Sequence, residues 1–205
     1  MYALVIDGSI SRYFNYPKGF TLGDLQYPAG IFTKWSTEEK EAIGIYEVVF
    51  DDSNKKDEKW YINTNQSFTF ADGTVTASYG TATPKAHADT TWSQDDEDAG
   101  NLPDNRSVND IKTRGLKYNL IKDLKITVAN ILAETDWYIT RNTEKSTAIP
   151  SAITTHRDAV RTKQASMETA ITNASNTPAL ETLYTYTTTD GVQSRPLGEL
   201  PTLEI

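Results

Sequence analysis

Residues 107–137 read SVNDIKTRGLKYNLIKDLKITVANILAETDW, and the spacing of apolar side chains in this stretch decides how the chain divides. Ile121, Leu124, Val128, Ile131 and Leu132 recur at steps of three and four, which places them on one face of a helix. Ser107 offers a side-chain oxygen to the first free N–H groups, so the spacing predicts an amphipathic helix over about 108–137. Downstream, Ile149, Ile153, Val160, Met167 and Ile171 repeat at near-heptad steps. Pro150 stands in the expected first turn, where a missing N–H removes no hydrogen bond. Two such segments in succession predict a long-helix αα-hairpin over 106–176.

If the two stripes packed only on each other, part of a long helix would stay exposed. Ile121, Leu124, Val128, Ile131, Ile153, Val160, Met167 and Ile171 are therefore the candidate oligomer or partner interface. Beyond Asn176 and Pro178 the pattern is lost. Leu183, Tyr184, Tyr186, a turn at Asp190–Gly191, Pro196 and Pro201 describe an extended C-terminal tail over 177–205.

Upstream of residue 85 the period changes from helical to strand-like. Short runs rich in Tyr, Phe, Trp, Thr and Val occupy 2–6, 44–50, 59–63, 67–70 and 74–79. SFTF and TVTASY are joined through Ala71, Asp72 and Gly73, where Asp-Gly supplies the positive φ of a tight hairpin turn. One short helix interrupts the strands: Ser36 caps STEEKEAI, Glu39 completes a capping box, and Gly44 ends the run. Residues 1–84 thus read as a small aromatic-rich antiparallel β domain, and the fold class as α+β.

Between the two halves lies AHADTTWSQDDEDAGNLPDN, with Asp95, Asp96, Glu97 and Asp98 in a row. A stretch that self-repels and carries few apolar groups reads as an acidic linker or loop over 85–105. Through Asn105 the chain carries 8 basic and 17 acidic residues, and from Arg106 onward 12 and 11. The acidity of the chain belongs to its first half.

With 205 residues, 20 Lys and Arg against 28 Asp and Glu, and a net charge of −8, the field of the whole chain opposes nucleic-acid binding. The long helix alone carries Lys112, Arg114, Lys117, Lys122 and Lys125 against Asp110 and Asp123, a face suited to solvent or to an acidic protein surface. There is no Cys, which excludes disulfides, thiol nucleophiles and thiolate metal sites. His87 and His156 have no second ligand at metal-binding spacing, and placing Gly100 at the sixth position of an EF-hand puts Ala99 and Arg106 where acidic ligands belong. Glu38, Glu39 and Glu41 are explained by helix capping and solubility better than as a glycosidase pair. No phosphate-binding Gly loop, dinucleotide fingerprint or nucleophile elbow is present. The expectation is a soluble, non-enzymatic protein of the cytoplasm without cofactor or metal, and without membrane or nucleic-acid partners.

The segment ILAETDWYITRNTEKSTAIPSAITTHRDAVR, residues 131–161, resembles the C-terminal region of the tail assembly chaperone and tail-fibre-assembly group of tailed bacteriophages. In that pattern a Leu-x-x-Thr-Asp-Trp helix end precedes an Ile-Pro helix start. The matching positions are Leu132, Thr135, Asp136, Trp137, Arg141, Ile149, Pro150, Arg157 and Arg161. Upstream, NYPKGFTLGDLQYPAGIFTKWSTEEKEAIGIYEV is similar to the leader of such proteins. The resemblance carries no catalytic residue and implies binding and assembly.

In physical terms, Trp137 is expected to close the hairpin by covering both helix ends, while Arg141, Arg157 and Arg161 hold Glu134, Asp136 and Asp158. The functional expectation is a structural component of the virion tail, fibre- or baseplate-associated and assembled in the host bacterial cytoplasm. Its partners would be other tail or fibre proteins and copies of itself, as a trimer or hexamer. Two alternatives stand beside it: an assembly chaperone not retained in the particle, and a receptor- or carbohydrate-binding module that stacks Trp60 or Tyr61 on sugar rings.

Overall fold

The computed structural model describes residues 1–203 and divides the chain into two units, one ending at Thr83 and the other starting at Pro84. The fold class is α+β. In the first unit the order is β1 (Tyr2–Ile6), β2 (Ser9–Phe14), β3 (Phe20–Leu22), β4 (Leu25–Tyr27), α1 (Ile31–Lys34), α2 (Thr37–Glu41), β5 (Ile45–Asp51), β6 (Tyr61–Ile62), β7 (Gln66–Ala71) and β8 (Thr74–Tyr79). The two-residue strand β9 (Thr83–Pro84) stands at the boundary.

Five strands form one sheet in the order β2-β1-β5-β8-β7. The Asp72–Gly73 turn has φ of 51° and 72°, and Asp7–Gly8 repeats the device between β1 and β2 with 50° and 74°. Contrary to the expectation of a wholly antiparallel domain, β5 and β8 run parallel, Val48 lying opposite Val75. The reason is the long return from Asp51 to Gln66, which lets the β7–β8 hairpin join the sheet through its second strand. At the other end of the order, the rings of Tyr13 on β2 and Phe68 on β7 lie 4.6 Å apart, so the sheet curls back on itself.

Strand β1 is buried on both faces because its side chains alternate into two different clusters. Ala3 and Val5 pack with Val48, Val75 and Ala77. Leu4 packs with Phe14, Phe20, Ile31, Phe32 and Ile45, under the β3–β4 hairpin and the two short helices. Aromatic rings fill this second cluster, with Phe14–Phe20 centroids at 5.0 Å and Phe20 stacked on Tyr27 at 5.2 Å. Ser36 and Glu39 form the expected capping box on α2. Gly44 then turns the chain at φ 79°, directly beneath β1, where the Val5 carbonyl oxygen leaves no room for a Cβ.

The second unit contains β10 (Thr90–Thr91), α3 (Gln94–Asp98), β11 (Ile111–Thr113), α4 (Leu116–Ala133), α5 (Asp136–Lys145), α6 (Ser151–Asn173), α7 (Thr177–Tyr184), β12 (Thr187–Thr189) and β13 (Val192–Ser194). Its core forms where Leu120, Leu124 and Val128 of α4 meet the buried face of α6, which carries Ile153, Val160, Met167 and Ile171.

Four boundaries differ from the sequence expectation. The first concerns residues 85–105, which are not a linker but part of this second unit. β10 pairs with β11, and Ser93 caps α3 in a capping box with Asp96. Lys112 meets Asp96 at 2.7 Å, and Arg114 meets Asp89 at 2.6 Å. The carbonyls of Ala86 and His87 accept the N–H groups of Leu116 and Lys117 at 3.0 Å each. An acidic stretch is stable here because cations and the free donors at a helix start compensate it.

The second difference is a consequence of the first: α4 begins at Leu116 rather than near 108. Ser107 instead closes a turn with Asp110, and Gly115 is the N-cap, pressed so closely on Ala88 that a Cβ would meet that backbone. The third is a break after Ala133, so that a separate helix α5 stands between the two arms of the hairpin, and Pro150 caps α6 from outside its first turn.

The fourth lies in the tail, which is folded rather than extended. Asn176 caps α7 by accepting from Ala179 N at 2.9 Å, and Leu180 is fully buried. Asp190–Gly191, with φ of 52° and 77°, turns the β12–β13 hairpin. Leu197 is buried and held at both backbone groups, by Leu183 O at 3.0 Å and by Lys163 Nζ at 2.9 Å.

Candidate functional site

The helical stripe is used by the chain itself. Leu124, Val128, Ile153, Val160, Met167 and Ile171 are all buried within one molecule, Val160 and Ile171 completely. Six of the eight expected interface residues are therefore not free to meet a second copy. Ile121 and Ile131 are half-buried and keep an accessible edge. The expectation of a surplus apolar stripe rested on one uninterrupted helix about eight turns long. The observed α4 has 18 residues, and its inward face is matched by α6.

The residues of the phage-like pattern meet where α4 ends. Arg157, 8% exposed on α6, donates to the Leu132 carbonyl at 2.7 Å and to Thr135 Oγ1 at 2.7 Å, and pairs with Asp136 Oδ1 at 2.8 Å. One planar, multiply donating cation thus ties together the Leu132 carbonyl, which also accepts from Thr135 N at 3.1 Å, a buried hydroxyl and the first acid of α5. Thr135, buried and also bonded to Leu132 O at 3.0 Å, is the pivot between α4 and α5. Nothing in the spacing alone marked Thr135 as buried. It stands out only once the position of Arg157 is known.

Of the other two arginines, Arg161 makes an expected pair and Arg141 does not. Arg161 pairs with Asp158 at 3.4 Å on an exposed surface, a contact of small energetic weight. Arg141 reaches no carboxylate among the described residues. Its guanidinium instead lies 4.6 Å from the Trp137 ring centroid and 5.4 Å from that of Tyr138, and its Nε is buried without a hydrogen-bond partner. Trp137 does not close the hairpin: it is 51% exposed, because the chain breaks at Thr135 and carries it outward on the first turn of α5. Glu134 joins none of these ion pairs.

The sugar-stacking candidates are likewise displaced. Trp60 is buried, with Lys59 Nζ 4.5 Å from its ring centroid, and Tyr61 is half-buried. The two histidines lie apart in role: His87 lends its carbonyl to Lys117, while His156 is buried on α6 and lines a surface cleft with Pro201, Thr202 and Leu203.

Among the described residues, every carboxyl with a displaced pKa is displaced downward: Glu38, Asp51, Asp89, Asp96 and Glu199. Asp96 lies lowest, at about 2, held first by the Lys112 hydrogen bond and then by Ser93. Asp89 is lowered chiefly by the Gly115 N–H and then by Arg114. No family model, curated protein or solved structure matches the chain.

Apart from Ile121, already part of the expected stripe, sequence spacing did not single out the outward side of α4. Tyr118, Ile121, Ile126 and Ala129 line an open groove of about 490 Å³ with Lys122 and Lys125. Tyr118 is 43% and Ile126 51% exposed. A signal was present, since Tyr118 and Ile121, and again Ile126 and Ala129, stand three apart, but the stronger inward stripe masked it. Of the five cations noted on this segment, Lys112, Arg114 and Lys117 are engaged with Asp96, Asp89 and the Thr172 carbonyl. Lys122 and Lys125 remain beside the groove.

Proposed function

We propose that the chain is a non-enzymatic structural component of a bacteriophage tail, fibre- or baseplate-associated, acting through protein–protein assembly. The observation that carries this reading is the convergence of Leu132, Thr135 and Asp136 on Arg157. Four positions of a pattern that resembles the tail-assembly group are joined in one polar junction centred on the buried Arg157 and Thr135, which gives that pattern a structural purpose and asks for no chemistry.

In this reading the partners are other tail or fibre proteins in a trimeric or hexameric arrangement, within a virion tail assembled in the bacterial cytoplasm. The contact surfaces are moved away from the inward stripe to residues that the chain leaves uncovered. A folded β unit suits a lasting contact, and this favours a permanent part over a transient chaperone.

The test is quantitative mass spectrometry of purified infectious particles from the source of the chain. A copy number per particle at a multiple of three or six is expected. Absence of the chain from particles whose tails fail to form without it would assign the chaperone role instead.

A further inference from the structure

Helix α4 has two apolar faces, and the chain uses one. Leu120, Leu124 and Val128 point to α6, while Tyr118, Ile121, Ile126 and Ala129 line the open groove. The rim of this groove is basic. Arg114 lies over Tyr118 at 4.1 Å while paired with Asp89 at 2.6 Å, Lys125 pairs with Glu168 at 3.5 Å, and Lys122 has no ion-pair partner among the described residues.

The order of these residues discriminates between occupants. About a point between Asp123 and Leu124 the face is partly self-mirrored: Ile121 mirrors Ile126 and Lys122 mirrors Lys125, while Tyr118 falls opposite Ala129. A second copy laid antiparallel would match the isoleucines but bring four ammonium groups together at the crossing. A parallel copy would set each lysine against itself. Both arrangements place like charges beside buried apolar surface, where water screens them poorly. An acidic partner relieves this repulsion and keeps the apolar contact. Extended polyanions are disfavoured by the net charge of −8 on the whole molecule, whereas a short acidic segment meets only the basic rim.

We propose that the face formed by Tyr118, Ile121, Ile126 and Ala129 docks an acidic amphipathic helix of a protein partner, whose carboxylates pair with Lys122 and Lys125. The packing mode is an amphipathic helix laid into a groove. This inference stands on the geometry of α4 and does not depend on the tail assignment, so particle mass spectrometry and the experiment below fail independently.

The full chain is titrated, by fluorescence anisotropy, into a labelled designed peptide with leucines along one helical face and flanking glutamates. A twin peptide carries lysines in place of the glutamates. Saturable binding of the glutamate peptide alone is expected, and Ile126→Asp should weaken it about tenfold or more. The double replacement Lys122→Glu with Lys125→Glu should transfer the preference to the lysine peptide. Circular dichroism of these surface variants should match that of the parent chain. Absence of binding, equal binding of both peptides, or binding unaffected by the replacements would overturn the proposal. So would two other results: a dimer in sedimentation that Ile126→Asp abolishes, which makes the occupant a second copy, or displacement of the glutamate peptide by phosphatidylserine vesicles.

Discussion

In the first unit, Ser36 caps α2 through Glu39, three residues on, and Asp7–Gly8 and Asp72–Gly73 reverse the chain within a two-residue turn. In the second unit, Arg157 reaches back to Leu132, and Thr177 Oγ1 donates to Lys85 O at 2.6 Å across 92 positions. Both units bury an apolar core and both use local caps and turns, such as Ser93 with Asp96 and Asp190–Gly191 in the second, but the second adds boundary bonds of longer range. The difference teaches that the β unit is specified by local turn and cap chemistry acting on alternating side chains. The helical unit is specified by a few polar side chains that satisfy backbone groups exposed where helices start and stop.

The comparison is broken most strongly at Arg157. Its replacement by Ala takes the charged donor from the buried Thr135 hydroxyl and from the Leu132 carbonyl, which keeps its bonds from Thr135, at a cost of about 1–3 kcal/mol to the second unit. The Asp136 partner adds little to this, because that carboxylate is largely exposed. Hydrogen exchange read by mass spectrometry should show faster exchange across α4, α5 and α6 with protection of residues 1–83 unchanged. Loss of protection in both units would mean that the junction is not local to the helical unit.

An effect of similar or smaller size is expected from Gly44→Ala, which places a Cβ against the Val5 carbonyl oxygen at a residue with φ 79°. About 1–3 kcal/mol of stability should be lost, and the same exchange experiment should confine the change to residues 1–83. An unchanged exchange profile would show that β1 and β5 can separate without penalty.

The smallest effect sharpens the comparison at the acidic stretch. The folded pKa of Asp96 is about 2 against an ordinary 3.8, so the folded state binds fewer protons in that interval. Its contribution to stability is present above about pH 4 and is lost as pH falls towards 2. Wild type and Asp96→Asn should therefore differ slightly in thermal midpoint near neutral pH and converge near pH 2. A difference that persists at pH 2 would assign the contribution of Asp96 to shape and not to charge.

Much of the β unit was legible because its signals lie within a few residues of one another: β1, β7 and β8 within one or two residues of their observed limits, the Asp72–Gly73 turn, the Ser36 capping box and Gly44. Asp7–Gly8 carries the same dipeptide and turns β1 into β2. The strand order was not legible, since the parallel β5–β8 pair depends on how a hairpin docks and not on the period of any strand. In the candidate site, the sequence pattern brought Arg157 and Asp136 together as expected. Trp137 and Arg141 went elsewhere because a helix break, invisible to an apolar period, rotates the residues beyond it.

The sequence by itself determined the division into a β text and a helical text, the α+β class, the apolar stripes of α4 and α6, and the local turns and caps. Each depends on residues that are neighbours along the chain. Only the tertiary structure decided that the acidic stretch belongs to the helical unit, that the inward stripe is covered within one molecule, and that a second apolar face of α4 stays open. The physical reason is that a charge run or an apolar stripe has no fixed meaning until its partners are placed. Lys112, Arg114 and the start of α4 turn a self-repelling segment into a bonded one, and α6 chooses which side of α4 is core.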